Sequence, residues 1–482
     1  MLKIYNTLSR SLEEFHPLKD KRVSFYQCGP TVYWTQHIGN LRAMVLADLI
    51  RRSLKYLDYK VKFARNYTDV GHLTSDEDEG EDKMIKAARR EGLTPEQIAD
   101  KYIDQFEKDV RQLNCLPLDD KHKPRATQYI KPMAKMVQTL LDKGFAYATD
   151  LAIYFDVSKA KDYTKLSGQK LEMNRQAAGK GEISDKDKKN PADFAVWFFK
   201  AGVHENALQT WLEKFKLPVG SVIQREGFPG WHLECSAMSQ KIFGPTFDLH
   251  MGGVEHIPVH HTNEIAQSEA ATGQKFVDYW LHNEHLTVDG KKMSKSDGTA
   301  YSLADIRNKG YDPLALRYFF LKSHYRSKQN FTWEALKSAK ISLEGLKEKI
   351  FHWDEFGAGT LEKKTRKAAR EEYMGRFKKS IEDDFNIPKA LGIFWDLVSD
   401  FRIKNNNTKE MLKEFDQIFG LGLSDIKNDI IPVEIKELAK KRQIARNNND
   451  WSMADEIRKK IEDGGYTIND GLGNSYDIWK KG

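Results

Sequence analysis

Residues 23–66 read VSFYQCGPTVYWTQHIGNLRAMVLADLIRRSLKYLDYKVKFARN. Val23 to Gln27 is short and β-prone. A loop from Cys28 to Gln36 follows it. From roughly Asn40 to Leu57, the residues Leu41, Val45, Leu49, Leu54 and Leu57 recur close to helical spacing. Lys60 to Asn66 reads as the next strand. A strand, a crossover helix and a second strand in this order predict an α/β fold with a Rossmann-like parallel sheet.

The chain around this unit has 482 residues, room for about three average domains. Apolar residues make up 40% and charged residues 30%, enough for sizeable cores under a polar surface. Aromatics at 11% argue against disorder. Lysine and arginine total 77 against 70 acidic residues, a net charge of +7. That balance permits a nucleic-acid partner without demanding one, because local patches matter more than the sum. No apolar run reaches the ~18 residues of a membrane span, so no membrane partner is expected. The first residues, MLKIYNTLSRSLEEF, lack the apolar centre of a secretion signal. Cys28, Cys115 and Cys235 cannot build a disulfide framework, and a reducing, cytoplasmic location is expected.

Further along, 74–82 (TSDEDEGED with its Thr neighbour) is an acidic run that reads as a solvated loop. Its Asp-x-Asp-x-Gly spacing places Gly80 where a calcium loop needs a further acid before its glycine. Helices are expected over 83–114 and 127–143, and a hairpin around 145–157, where AYATDLAIYFDV alternates. Residues 168–190, rich in Lys, Gly and Asp, read as a mobile stretch. Residues 301–351 read as mostly helical. A hinge at 352–362 precedes another helical region to about 418. A tail from about 432 opens with a basic helix.

Three constellations carry chemistry. His37-Ile38-Gly39-Asn40 sits after a strand and at a helix start. There, unpaired backbone N–H groups and the positive end of the helix dipole suit a phosphate. Gly39 would let a nucleobase stack on the backbone, and His37 can donate to phosphate oxygens. Lys291-Lys292-Met293-Ser294-Lys295-Ser296 is flanked by Gly290 and Gly298. Lysines in such a loop can follow a triphosphate and neutralise charge as its α-phosphate is attacked. The third set comprises Cys28, Cys235, His260 and Glu264. A four-residue step puts His260 and Glu264 on one helix face. Two thiolates, an imidazole and a carboxylate can make a zinc set, although no CxxC pair marks it. His261 is an alternative ligand that is expected to point away from the Glu264 face.

The pairing of His-Ile-Gly with a distant Lys-Met-Ser-Lys-Ser is the signature of class I aminoacyl-tRNA synthetases. The stretches around Cys28, Thr68 (Arg65-Asn66-Tyr67-Thr68-Asp69), Cys235 and His260 go further. Across essentially the whole chain, the sequence resembles the cysteinyl-tRNA synthetase family. The resemblance implies one zinc per chain, held by Cys28, Cys235, His260 and Glu264, with the substrate thiolate as a further ligand. It implies an amino-acid pocket lined by Thr68, Trp231 and His250. It implies ATP with Mg²⁺ at His37, Gly39, Asn40 and Lys295, with His37, Asn40, Lys292 and Lys295 serving catalysis. The partners would be L-cysteine, ATP and tRNA(Cys), and the protein a monomer, as the family often is.

The implied organisation has six parts. Residues 1–115 are the first half of the catalytic core and 116–226 a connective insertion. Residues 227–300 are the second half, with the zinc site and lysine loop. Helical parts follow at 301–351 (stem contact) and 363–420 (bundle), and a small anticodon-binding domain at 432–482. In that tail, Arg446, Trp451, Asp455, Arg458 and Asp470 would meet the tRNA, with Trp451 stacking on an unpaired base. Lys440, Lys441 and Arg442 would touch phosphates.

Two departures from the family pattern stand out. Asn40 replaces the second histidine of the usual His-Ile-Gly-His. After Asp248-Leu249-His250, the chain reads Met251-Gly252-Gly253-Val254-Glu255, where three glycines and an Asp are common. A related ligase that joins cysteine to an amino-sugar shares the zinc and ATP motifs but lacks the tail, so Arg446 through Trp479 argues against it. A non-catalytic paralogue should have lost zinc ligands or the lysine loop. A nucleotidyltransferase predicts neither the zinc set nor the tail.

Overall fold

The computed structural model describes residues 1–71, 83–169, 185–218, 220–294, 298–351, 362–400, 403, 406–423, 432–470 and 476–480. The acidic run, the hinge up to 361 and most of 168–190 therefore lie outside the described residues. The chain divides into two units, Met1–Leu336 with Phe377–Leu391, and Lys337–Arg376 with Gly392–Gly482.

The first unit opens with an antiparallel hairpin, β1 (Lys3–Asn6) and β2 (Ser11–Glu14). β3 (Arg22–Gln27) then leads through helix α1 (Ile38–Tyr56) into β4 (Lys60–Arg65). β3 and β4 pair in parallel, Arg22 opposite Lys60 and Gln27 opposite Arg65. In β3, Phe25, Tyr26 and Gln27 are all buried, as expected of a parallel strand covered on both faces. The predicted strand, helix and strand are all present within a residue or two.

The segment that follows is helical, as expected over 83–114. It forms two helices, Lys83–Glu91 and Pro95–Gln112. Gly92 takes a left-handed φ of 66° between them. Thr94 and Gln97 then form a reciprocal capping box with Pro95 in the first turn. Helix Ile130–Asp142 comes next. It leads to a five-stranded antiparallel sheet: β5 (Ala146–Ala148), β6 (Ala152–Phe155), β7 (Phe194–Phe199), β8 (Trp211–Lys216) and β9 (Val222–Pro229), in the order β5-β6-β7-β9-β8. The sequence reading found only its first hairpin. β7 reads FAVWFF, with no alternation to mark a strand, and β9 holds the charged run Gln224-Arg225-Glu226.

From β9 the chain passes into helix Trp231–Phe243, β10 (Phe247–Gly253), helix His260–Thr272 and β11 (Val277–Asn283). The central sheet has the order β11-β10-β3-β4, all parallel. A single apolar cluster runs from the five-stranded sheet (Phe155, Trp197) to the parallel sheet and its helices (Tyr26, Cys28, Cys235, Trp280). Buried Asp48 fixes α1 from the other side. It accepts 2.8 Å hydrogen bonds from Arg52, from Arg317 of helix Pro313–Leu321 and from the Leu116 N–H.

The second unit contains most of helix Trp333–Phe351 and the helices Ile387–Ser399 and Asn406–Phe419 from Gly392 onward, with Phe394 packed on Phe415 and Phe419. Helix Lys363–Glu382 belongs to it up to Arg376. Helices Val433–Asn447 and Trp451–Asp463 and the hairpin Tyr466–Asp470/Tyr476–Lys480 close a small core of Ile435, Ile457, Ile461, Ile468 and Ile478. No described helix is long and apolar enough to cross a membrane.

Candidate active site at the switch point of the parallel sheet

β3 and β10 are neighbours at the middle of the sheet, yet their crossovers run to opposite sides, β3 to β4 and β10 to β11. In such sheets the crevice beyond the strand carboxyl ends at this switch point binds ligands. Cys28 stands there, its N–H donating to Met251 O at 3.0 Å. Gly29 follows for a steric reason: a Cβ at that position would lie 1.7 Å from Asn66 O. The Gly29 N–H instead donates to Asn66 Oδ1 at 2.8 Å. Two main-chain bonds then tie the loop to Thr68, Val32 N to Thr68 O and Thr68 N to Pro30 O, both 3.1 Å.

Helix Trp231–Phe243 brings Cys235, and helix His260–Thr272 brings His260 and Glu264. The Cys28 and Cys235 sulfurs are 3.8 Å apart and both thiols are free and buried. Glu264 Oε1 lies 2.8 Å from His260 Nε2 and 3.9 Å from Cys28 Sγ. One donor atom from each of these four residues falls within 4.8 Å of the others, so the set could hold a metal ion. Cys28, His250, His261 and Glu264 form a second such set.

His261 thus departs from its expected direction. Its Nε2 lies 3.3 Å from Cys28 Sγ and 3.9 Å from Glu264 Oε1. The reason is helical geometry: residues three and four apart both share a face, so His260 and His261 flank Glu264 together. Each imidazole is backed by another. His260 Nδ1 pairs with His232 Nδ1 at 3.0 Å, and His261 Nδ1 with His282 Nε2 at 2.8 Å. His282 in turn meets Thr7 Oγ1 at 2.8 Å.

Burial pushes the Cys28 thiol well above its ordinary pKa, and Cys235 adds to that. Cys235 moves down, through its hydrogen bond with Cys28. Burial alone would raise Glu264, but His250 and His260 outweigh it and bring it to about 2. Burial alone would lower His260, but Glu264 and Cys235 raise it to about 10. Burial drives His261 well below its usual value, so it stays neutral.

Around the cluster, Thr68 Oγ1 donates to the wholly buried Glu234 Oε2 at 2.9 Å. Trp231 stacks on the His260 ring with centroids 4.4 Å apart. His250 is wholly buried, bonded to Glu264 Oε2 at 2.9 Å and stacked on Trp280. Glu234 and His282 escaped the sequence reading. Glu234 is the residue before Cys235 and falls one turn from Trp231, a signal that only a known helix makes usable.

At the start of α1 the structure corrects one expectation. The first backbone N–H groups are not left for a phosphate. The His37 ring nitrogen Nδ1 accepts from Gly39 N at 3.1 Å and Asn40 N at 3.2 Å. Ile38 N donates to Tyr301 O and Leu41 N to His37 O. With Nδ1 an acceptor, the neutral ring carries its proton on Nε2, which makes His37 a donor. Asn40 Nδ2 donates to Gln36 Oε1 at 2.5 Å. The lysine loop lies alongside: a Cβ on Gly39 would come within 2.2 Å of Met293 Cε, and His37 pairs with Ser302. Lys292 is exposed on a two-residue strand. Lys295 lies outside the described residues.

Comparison with known proteins shows the chain's family. Residues 14–341 match the family described as tRNA synthetases class I (C) catalytic domain, and 376–424 match the DALR domain. The chain is 39% identical to cysteine–tRNA ligase 1 of Burkholderia lata, over 97% of this chain and 95% of that one. It is 38% identical to the cysteine–tRNA ligase of Treponema denticola, over 100% and 99%. This chain belongs to the cysteine–tRNA ligase family. Its fold is shared more widely among synthetases. A LeuRS of Agrobacterium radiobacter K84, solved with tRNA, superposes with a TM-score of 0.60 at 12% identity, over 85% of this chain and 84% of that one. A Mycobacterium tuberculosis methionyl-tRNA synthetase does so at 0.52 and 14%, over 84% and 90%.

As a member of that family the chain is an aminoacyl-tRNA ligase, and its tail can be read against that activity. Trp451 is 55% exposed, with the Arg446 guanidinium 5.4 Å from its ring centroid. Asp455 is exposed one turn on. Arg458 is half-buried and donates to Ile468 O at 3.2 Å, joining its helix to the hairpin. Arg442 is wholly buried, so it is a core residue and not the phosphate contact expected beside exposed Lys440 and Lys441. The Asp470 side chain lies outside what is described.

The double role of His37 gives a separable test. Asparagine is a good helix cap but cannot supply an Nε2–H donor at that reach. His37→Asn should therefore leave the thermal midpoint within a few degrees of the parent and lower cysteine-dependent pyrophosphate exchange by about 10²–10³-fold. Exchange retained within tenfold would show the ring to be a cap alone.

Proposed function

We propose that this ligase selects L-cysteine with a zinc ion held by Cys28, Cys235, His260 and Glu264. The observation that carries the proposal is the convergence of these four donors within 4.8 Å. Two sulfurs bound tetrahedrally at about 2.3 Å from zinc stand about 3.8 Å apart. The two thiols here are 3.8 Å apart, far beyond disulfide length. The alternative set with His250 and His261 has one sulfur and three harder donors, so the two-thiol set suits zinc better.

When bound, zinc supplies a preference for thiolate over a neutral hydroxyl. A steric pocket alone separates such near-isosteres by only about 10–200-fold. Serine differs from cysteine by one atom, so the metal would do what shape cannot. The chain's own residues position the rest. Trp231 holds the His260 ring by stacking, and Thr68, bonded to Glu234, faces the amino-acid side of the crevice. His250, buried behind Glu264, acts by orienting that carboxylate.

ATP with Mg²⁺ binds between the α1 start and the lysine loop. His37 donates through Nε2 to the phosphates, Gly39 leaves room for the nucleotide, and Asn40 holds Gln36 and the entry loop. Lys292 and Lys295 neutralise charge as the cysteine carboxylate attacks the α-phosphorus and pyrophosphate leaves. Catalysis is positioning and charge stabilisation, with no protein nucleophile. The terminal ribose hydroxyl of tRNA(Cys) then takes the cysteinyl group. We assign 1–115 and 227–300 to the catalytic halves, 116–226 to the insertion, 301–351 to the stem contact, 363–420 to the bundle and 432–482 to anticodon binding. Arg446, Trp451, Asp455, Arg458 and Asp470 are the tRNA contacts there. The enzyme works as a cytoplasmic monomer.

Two measurements test this reading. Cys235→Ala should lose most of its zinc by metal analysis and most of its cysteine activation. Full zinc occupancy in that variant would sink the ligand assignment. Trp451→Ala should weaken tRNA charging by about five- to a hundredfold, the range of one lost base stack, while exchange of pyrophosphate stays near the parent value. Equal loss in both assays would count against a separate anticodon-reading tail.

A further inference from the structure

The loop between Cys28 and His37 carries a large aromatic that the adenylation chemistry does not use. Trp34 is 36% exposed on that loop. Its carbonyl accepts from Gln36 Nε2 at 3.1 Å, and Gln36 is bonded to Asn40, so the indole rides on a loop tied to the start of α1. The Arg90 guanidinium lies over the indole, 3.9 Å from a ring centroid. Arg90 is itself held: it donates to Glu91 Oε1 at 2.6 Å and to Tyr102 Oη at 3.4 Å. Glu91 is anchored by Lys101 at 2.7 Å and Tyr102 at 2.6 Å. Hydrogen bonds from Lys101, Tyr102 and Arg90 keep this carboxylate ionised, down to about 2. The same short helix exposes Lys86 and Arg89 beside Arg90. The result is an indole set by a fixed cation, next to a basic helix, three residues before His37.

We propose that Trp34, set by Arg90, is the stacking seat for the unpaired terminal adenosine of the tRNA during acyl transfer. The reading rests on the ligase reaction above. In that step the ribose hydroxyl oxygen of the terminal nucleotide bonds to the cysteinyl carbonyl carbon. The carbonyl–phosphate bond breaks, AMP leaves with the electron pair, and the hydroxyl proton goes to the departing phosphate or solvent. The terminal nucleotide must therefore reach the crevice between Cys28 and His37 while unpaired. Single-stranded bases gain most from an aromatic face with an arginine beside it. The exposed cations of the Arg90 helix offer the preceding phosphates a path. Adenine could also come from ATP. The outward position of Trp34 and its basic neighbour favour the polynucleotide, and the two sources separate by assay.

The test measures two rates on each sample: cysteine-dependent pyrophosphate exchange, and single-turnover transfer from enzyme-bound cysteinyl-AMP to a tRNA(Cys) transcript. Trp34→Ala and Trp34→Leu should transfer at least about tenfold more slowly, with exchange within twofold of the parent. Trp34→Phe should recover most of the transfer rate, since it restores a ring face where Leu restores only volume. Transfer within twofold in the Ala variant would overturn the proposal. So would a raised KM for ATP in exchange, which would give the indole to the nucleotide substrate. Leu matching Phe would also overturn it, as packing without stacking. A parent enzyme that exchanges no pyrophosphate would instead defeat the adenylation reading, and this proposal with it.

Discussion

Two thiols and a carboxylate buried within 4.8 Å of one another are a costly arrangement. In their ionised forms these groups are like charges, which repel strongly in apolar surroundings. The chain offsets part of that cost with the imidazoles of His250 and His260, both against Glu264. A divalent cation would offset the rest. Much of the catalytic unit serves this convergence. β3 ends one residue before Cys28, the five-stranded sheet abuts the start of the Cys235 helix, and the β10–β11 crossover delivers His260 and Glu264. A Cβ on Gly230 would lie 2.0 Å from Ala195 O, which shows how closely the insertion is seated against that helix start.

The second demand on the fold is to bring two remote motifs together beside the cluster. Gly39 does so by having no side chain under Met293, and Ile38 N by donating to Tyr301 O. His37 caps α1 with one ring nitrogen and thereby fixes the proton on the other. One residue thus supports the helix and defines the donor. The buried Asp48 cluster holds the middle of the same helix, so α1 is held both at its start and along its length.

The parallel core was legible because hydrophobic period and strand composition agree from Val23 to Asn66. The four-residue step from His260 to Glu264 was legible from helix geometry, since residues four apart share a face. The rest required tertiary information. Cys28 and Cys235 are 207 positions apart, with no local spacing to link them. His261 was misplaced because a three-residue step also shares a helix face. The capping by His37 was hidden because it depends on a rotamer, which sequence does not display. β7 was missed because it is apolar throughout, and β8 and β9 because they carry charges on exposed faces. Arg442 looked like one of three surface cations, and only the helix phase puts it in the core.

The central claim is that the buried four-donor cluster, through zinc, reads sulfur. The most direct measurement is pyrophosphate exchange with cysteine and with serine on one preparation, before and after chelation, with zinc quantified alongside. The account predicts about one zinc per chain and a preference for cysteine well beyond the ~200-fold that shape can supply. It also predicts that this preference falls as zinc is withdrawn and returns when zinc is restored. A folded, zinc-free enzyme that keeps its full preference for cysteine would contradict it.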